Sequence, residues 1–202
     1  MVYEASLAFK ADFGDVDVTI DEKNREDIFD CIRARSVDIV IHPHPASEIA
    51  HEKDIGYEYM TRTRLAVCFA RESRFFNLDF VTPEDLRNEE VVIHNSVQGK
   101  AWVSLFHKDS PILLASNNIG ILKDAVKRGR ACSVVHEFMF NSFPEAQTGE
   151  IFMVPLKDKN YFYEECWLTY PIQAGVSDEA KQFMKYVAVE MEKQAQLNKR
   201  SI

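Results

Sequence analysis

An α/β fold of two lobes joined by two crossing segments is predicted for this chain of 202 residues, on three observations. Between Asp15 and His44 the apolar pattern passes from period two, through helical spacing, to a short continuous apolar run. From Ile55 to Thr169, apolar runs of strand length alternate with helical patterns. From Ala180 to Met191 the chain closes on a one-faced helix.

Taken in order, Met1-Val2-Tyr3 reads as already inside a first helix. Val16, Val18 and Ile20 alternate with Asp17, Thr19 and Asp21, which predicts a strand; Ile28, Phe29 and Ile32 predict a helix from about Asn24, and Asp38 to Ile41 a buried strand. Two strands separated by a helix of this length are expected to lie parallel, as a βαβ unit, and ligands collect at the carboxyl ends of such strands. The loop His42-Pro43-His44-Pro45 falls at that end. Ile55 to Tyr59 and Arg64 to Phe69 follow as two strands.

The second lobe is predicted to begin with a helix, marked by Thr82 as N-cap, Pro83 at the first helical position and Asp85 at the capping-box place. Glu90 to His94 reads as a strand, Val97 to Phe106 as a helix and Ile112 to Ala115 as a strand. Ile119, Leu122, Ala125 and Val126 share a helical face, with Gly129 placed as the left-handed residue that ends it. Val134-Val135, Ile151 to Leu156 and Phe162 to Thr169 read as further strands. In the last helix Ala180, Phe183, Met184, Val187, Ala188 and Met191 fall on one face. The expected division is residues 1–70 plus 172–202 in lobe one and 71–171 in lobe two, with crossings near Cys68 to Glu72 and Thr169 to Ala174.

Composition bounds the partners. An apolar content of 46% with 28% charged residues is ordinary for a globular protein, and no apolar run approaches the roughly 20 residues of a membrane span. With 32 acidic against 24 basic residues, net charge −8, and no clustered Lys/Arg stripe, the chain is not expected to contact DNA by itself. The N-terminus lacks the order of a secretory signal, which points to the cytoplasm. Cys31, Cys68, Cys132 and Cys166 are scattered on apolar segments and read as reduced core thiols.

The chain resembles the effector-binding domain of LysR-type transcriptional regulators. The residues that carry the resemblance are Phe9 to Val18 (FKADFGDVDV, against the family's F-x-x-x-(Y/F)-P-D-V-x-V), the helix from Asn24, and Ser36-Val37-Asp38-Ile39-Val40-Ile41 (against G-x-x-D-(I/L)-(A/V)-I). Arg64 to Phe69, Val81 to Leu86, and Ser116 to Gly129 resemble its later strand and helix motifs. The resemblance spans nearly all of the chain. It implies a type-2 periplasmic binding protein-like fold of two Rossmann-like lobes, a small-molecule effector between them, side-by-side pairing into a homodimer or higher homo-oligomer, and DNA binding through a separate N-terminal winged helix-turn-helix. The family domain opens with a strand, roughly L-x-I-G; here that start is read as truncated or replaced. At Ala131 and His136 the family has a second Gly and a Pro.

In an open two-lobe protein the ligand is expected in the crevice, against strand ends and helix N-termini. His42 and His44 follow a strand of lobe one; His94, Asn95, Ser96 and Gln98 follow a strand of lobe two and open a helix. The resemblance carries effector contact to these loops, with Asn117 and His136 as further contributors. The competing structural readings are N-caps for Asn95, Ser96 and Asn117 and a satisfied core imidazole for His136. A metal at His42 and His44 with Glu48, His51 or Glu52 matches no known closed site, and no cofactor is expected. Trp102 and Trp167 read mainly as core, and any at the crevice would favour an aromatic or partly apolar effector; with helix N-termini favouring anions, a small carboxylate or aromatic acid is the expected class.

No G-x-S-x-G, phosphate loop, G-x-G-x-x-G or H-E-x-x-H occurs, and seven glycines are too dispersed to cradle phosphates. A sensor without catalytic activity is the favoured reading. Its rivals are a solute-binding protein of a transporter and a small dehydratase or deaminase on the same fold.

Overall fold

The structure, a computed structural model, describes residues 2–44, 52–106, 110–173 and 175–200. Pro45, Glu48 and His51, named above, lie outside the described residues. The chain divides into two compact units: residues 1–62 with 164–202, and residues 63–163.

In the first unit, helix α1 (Val2–Asp12) packs along the last helix, α7 (Asp178–Arg200). Buried Phe9 meets Phe183 and Tyr186 edge-on at 5.4 and 5.5 Å, the preferred aromatic geometry. Tyr186 Oη donates to Asp12 Oδ2 at 2.5 Å. The buried residues of α7 include Phe183, Met184, Val187 and Met191, the face its spacing predicts. A 3-10 turn, Arg25–Asp27, leads into α2 (Ile28–Arg33), whose Ile28 and Ile32 pack with Ile55, Val40 and Tyr57.

The predicted strand over Val16 to Ile20 does not form: these residues lie outside every ladder, and Ile20 is 55% exposed. Alternation marks a face, but a strand also needs a neighbouring backbone. Strand β1 (Val40–Pro43) pairs instead with β7 (Tyr163–Pro171), antiparallel, so the expected parallel βαβ unit is absent. Lys10 Nζ takes up part of the unpaired backbone, donating to the carbonyls of Gly14 and Val16 at 3.0 and 2.7 Å. His42 and Pro43, read as loop, belong to β1 itself.

The two strands read at Ile55 to Tyr59 and Arg64 to Phe69 are one, β2 (Ile55–Ala70), which runs through both units. Near its start Gly56 lies so close to Tyr170 of β7 that a Cβ would sit 2.3 Å from the ring.

In the second unit β2 lies between β5 (Ser133–His136) and β6 (Ile151–Pro155), antiparallel to both. Strands β3 (Val91–His94) and β4 (Ile112–Ser116) pair in parallel, and β3 meets Cys132 through Val92 N–H to Cys132 O, 2.9 Å. Successive side chains of β2 point to opposite faces. Leu65, Val67 and Phe69 join one core cluster with Phe75, Val81, Leu86 and Leu156, while Cys68 joins another with Val92, Leu122, Val126 and Ile151. Helices α3 (Val97–Phe106), α4 (Ile119–Lys127) and the single turns α5 (Glu137–Phe140) and α6 (Pro144–Gln147) complete the unit. Gly129, at φ 64°, ends α4 as expected.

The helix predicted at Thr82 stays a turn, although its capping box is built: Thr82 N–H donates to Asp85 Oδ2 at 2.8 Å, and Asp85 N–H to Thr82 Oγ1 at 3.2 Å. Val81 N–H is held by Pro155 O at 2.9 Å, and Leu86 is fully buried. The capping residues fix a turn here, and the long apolar face that would extend it is missing.

Cys68, Cys132 and Cys166 are buried thiols, each pushed up to about 12 by desolvation, and Cys31 is half-buried.

Candidate functional site

The sequence-predicted residues fall into two groups, one in each unit. In the second unit β3 ends at His94, and the chain turns at once into α3. Ser96 N–H donates to His94 O at 2.8 Å, and buried Ser96 Oγ accepts from Gly99 N–H at 3.1 Å, the N-cap bond. A Cβ on Gly99 would stand 2.2 Å from His94 O, so only glycine lets the helix start this close to the strand end. Helix N-termini carry unpaired N–H groups and a positive dipole end, which favour anions. Asn95 and Val97 are exposed there, Gln98 half-buried.

Asn95 N–H donates to Ser116 O at 3.2 Å, which draws the β4 end and Asn117 beside the β3 end. The cap of α4 is Asn118, whose Oδ1 accepts from Gly120 N–H at 2.9 Å; Asn117 is exposed beside it. His136 closes β5 and is buried, its ring 5.2 Å from Trp102 of α3 and 5.8 Å from Phe138. Thus Trp102 ties His136 to the body of α3, the helix that Ser96 caps.

Beside His136 stands a contact that sequence reading missed. Arg64 of β2 forks onto Glu137, Nε to Oε2 at 2.8 Å and Nη2 to Oε1 at 2.6 Å, with the guanidinium 5.4 Å from the Tyr161 ring. The hydrogen bond to Glu137 holds the Arg64 guanidinium above its ordinary pKa. The partners lie 73 residues apart, and no local pattern announces such a pair.

In the first unit His42 lies on β1 and His44 just follows it, their ring centroids 5.1 Å apart, and both are buried. Phe29 of α2 lies 6.2 Å from His42 and 5.4 Å from His44. Neither nitrogen of His42 has a hydrogen-bond partner, and burial, aided by the charges of His44 and Arg25, pushes its pKa down to about 4. Arg25 Nε donates to His44 Nδ1 at 3.1 Å, and Trp167 Nε1 donates to His44 O at 3.0 Å. Among the described residues no three His, Cys, Asp or Glu side chains are arranged to hold a metal ion, and no helix is long and apolar enough to cross a membrane.

The sequence profile described as the LysR substrate binding domain matches residues 4–192. No curated protein sequence is significantly similar to the chain. Among solved structures it is similar to the regulatory domain of Synechocystis CcmR in complex with 2-PG, at 17% identity and TM-score 0.76, covering 94% of this chain and 90% of that one. It is similar to the effector binding domain of QuiR in complex with shikimate, at 13% identity and TM-score 0.68, covering 96% and 91%. It is also similar to HinK, a LysR family transcriptional regulator from Pseudomonas aeruginosa, at 16% identity and TM-score 0.72, covering 93% of this chain and 65% of that one.

Proposed function

The chain belongs to the LysR substrate binding domain family, and from that premise we propose that it senses a small effector held between its two lobes and couples their closure to the arrangement of an oligomer. The lobes proposed are residues 1–70 with 172–202, and 71–171. The observation that carries the effector reading is the start of α3, where a capped helix N-terminus follows directly on a strand end, beside the buried His136–Trp102 pair. Asn95, Ser96 and Gln98 are the proposed contacts there, with His94, Asn117 and His136 around them and His42 and His44 contributed by lobe one. The ligand class that suits a helix N-terminus lined by amide and hydroxyl groups is a small carboxylate or aromatic acid. Two relatives are described in complexes with 2-PG and with shikimate, which fits that class.

Thermal-shift and native mass spectrometry screens of small carboxylates and aromatic acids, with shikimate among them, test the proposal. Saturable binding with the ligand released unchanged is the expected result; turnover would instead favour an enzyme on this fold. Gln98→Ala is expected to weaken any hit about tenfold, the size of one lost hydrogen bond to a charged group. Ser96→Ala is expected to weaken it too, but it also removes the cap bond to Gly99, at about 1 kcal/mol of stability. The Gln98 variant leaves the Ser96 cap bond in place, and unchanged affinity in both variants would take these residues out of the site.

Closure works by population shift, with a coupling free energy of about 1 to 3 kcal/mol between ligand and assembly. The assembly proposed is a homodimer. On the second unit, Leu105 of α3 and Ile112 and Leu113 of β4 expose 69%, 48% and 40% of their surface; on α1, Tyr3 and Leu7 expose 64% and 50%. Apolar side chains exposed this far suit burial against a second copy. Sedimentation is expected to give a dimer, and a strict monomer at high concentration would count against it. DNA contact is assigned to a separate N-terminal domain, in keeping with the net charge of −8, and the cytoplasm is the setting proposed.

A further inference from the structure

A ring nitrogen accepts a hydrogen bond only while it carries no proton. The Arg25–His44 contact, with Nε donating to Nδ1 at 3.1 Å, therefore exists only with a neutral His44 whose proton sits on Nε2. Arg25 stands on the 3-10 turn that opens into α2, and His44 follows β1, so this bond ties turn and helix to the strand. The backbone of His44 is fixed from the other side, its N–H on Glu165 O at 2.8 Å and its carbonyl under Trp167 Nε1 at 3.0 Å. If the contact breaks, Arg25 and its 3-10 turn are what must move.

We propose that the Arg25–His44 contact is a proton-operated latch: a proton on His44 removes the acceptor, sets imidazolium against guanidinium, and releases the 3-10 turn at Arg25, while α2 stays packed through Ile28 and Ile32. Among the described residues, the titratable and charged groups on this face are His42 on β1, His44 just after it, Arg25 on the turn and Glu165 on β7. Phe29 from α2 and Trp167 from β7 enclose them, and Tyr59 of β2 lies behind Trp167 at 5.5 Å. Two imidazoles 5.1 Å apart beside a guanidinium admit one proton far more readily than two. His42 is the poorer base of the two, because it is enclosed with neither nitrogen bonded, so the first proton goes to His44. The latch acts wholly within the first unit and stands whether or not the effector reading holds.

Hydrogen–deuterium exchange of the segment 24–28 in the whole chain, corrected for intrinsic pH dependence and read at pH 7.5, 6.5 and 5, tests it. Wild type is expected to exchange about tenfold faster at pH 5 than at 7.5, the scale of a modest local opening. His44→Asn keeps an acceptor oxygen near the Nδ1 position and cannot titrate, so its segment should show no pH response. Arg25→Gln should exchange fast at all three values. Imidazole nitrogen NMR of the wild type supplies a reading that does not rely on variants: His44 Nδ1 should gain its proton over the same pH range in which exchange rises. Constant protection in wild type, an acid response that survives in His44→Asn, or a His44 titration outside that range would each overturn the latch.

Discussion

Acidification from pH 7 to pH 4 is expected to remove about 3 kcal/mol of folding stability through His42 alone, a difference of about 2.5 pKa units at 1.36 kcal/mol each. The folded ring titrates at about 4 and an unfolded histidine near 6.5, so folding favours the neutral form. Above pH 6.5 neither state is protonated and the contribution is whole. Between 6.5 and 4 the unfolded chain binds the proton that the folded chain refuses, and stability falls; below 4 both are charged and the slope ends. Urea unfolding of wild type and His42→Gln at pH 7, 5.5 and 4 reads it directly. The variant should lose markedly less stability over that interval, and parallel losses would place the ring in contact with water.

The second large effect is expected at Arg64 and Glu137, whose side chains are only 17% and 13% exposed. Glu137→Ala leaves a guanidinium mostly shielded from water without its carboxylate, at an expected cost of about 3 kcal/mol. Replacing both partners, Arg64→Met with Glu137→Leu, should recover most of that, because the penalty comes from the stranded charge more than from the lost attraction. Equilibrium denaturation of the single and double variants forms the test. A Glu137→Ala loss within about 0.5 kcal/mol would mean that the pair behaves as an ordinary surface contact.

The second unit was highly legible in the sequence, where apolar spacing, caps and glycine act locally. Val97 to Phe106 is helical over the predicted bounds, Gly129 ends α4, and the strands at Val91, Ile112, Ser133 and Ile151 stand where the apolar runs foretold. The failures share one cause. Val16 to Ile20 has the pattern of a strand but no neighbouring backbone, and Thr82 to Asp85 has a helix cap but no helix, because a local signal cannot supply the partner that completes it. The same holds for function: Ser96 and the Asn95 turn could be read from residue type and position, whereas Arg64–Glu137, Arg25–His44 and Trp102–His136 join residues far apart in the chain. The proline after each suggests a loop at His42 and His44; the antiparallel ladder with β7 instead takes His42 into β1, with His44 just past the strand end and its N–H on Glu165 O.

The order of the units along the chain has a consequence for biosynthesis. Residues 63–163 emerge from the ribosome as one uninterrupted piece, whereas α1 must wait for residues 178 onward before its partner α7 exists, and β1 for β7. Nascent domains generally fold as they are completed. Residues 63–163 are therefore poised to fold before the first unit, while residues 1–62 hold their apolar surface uncovered until residues 164 onward have been made, the interval in which a chaperone would matter most.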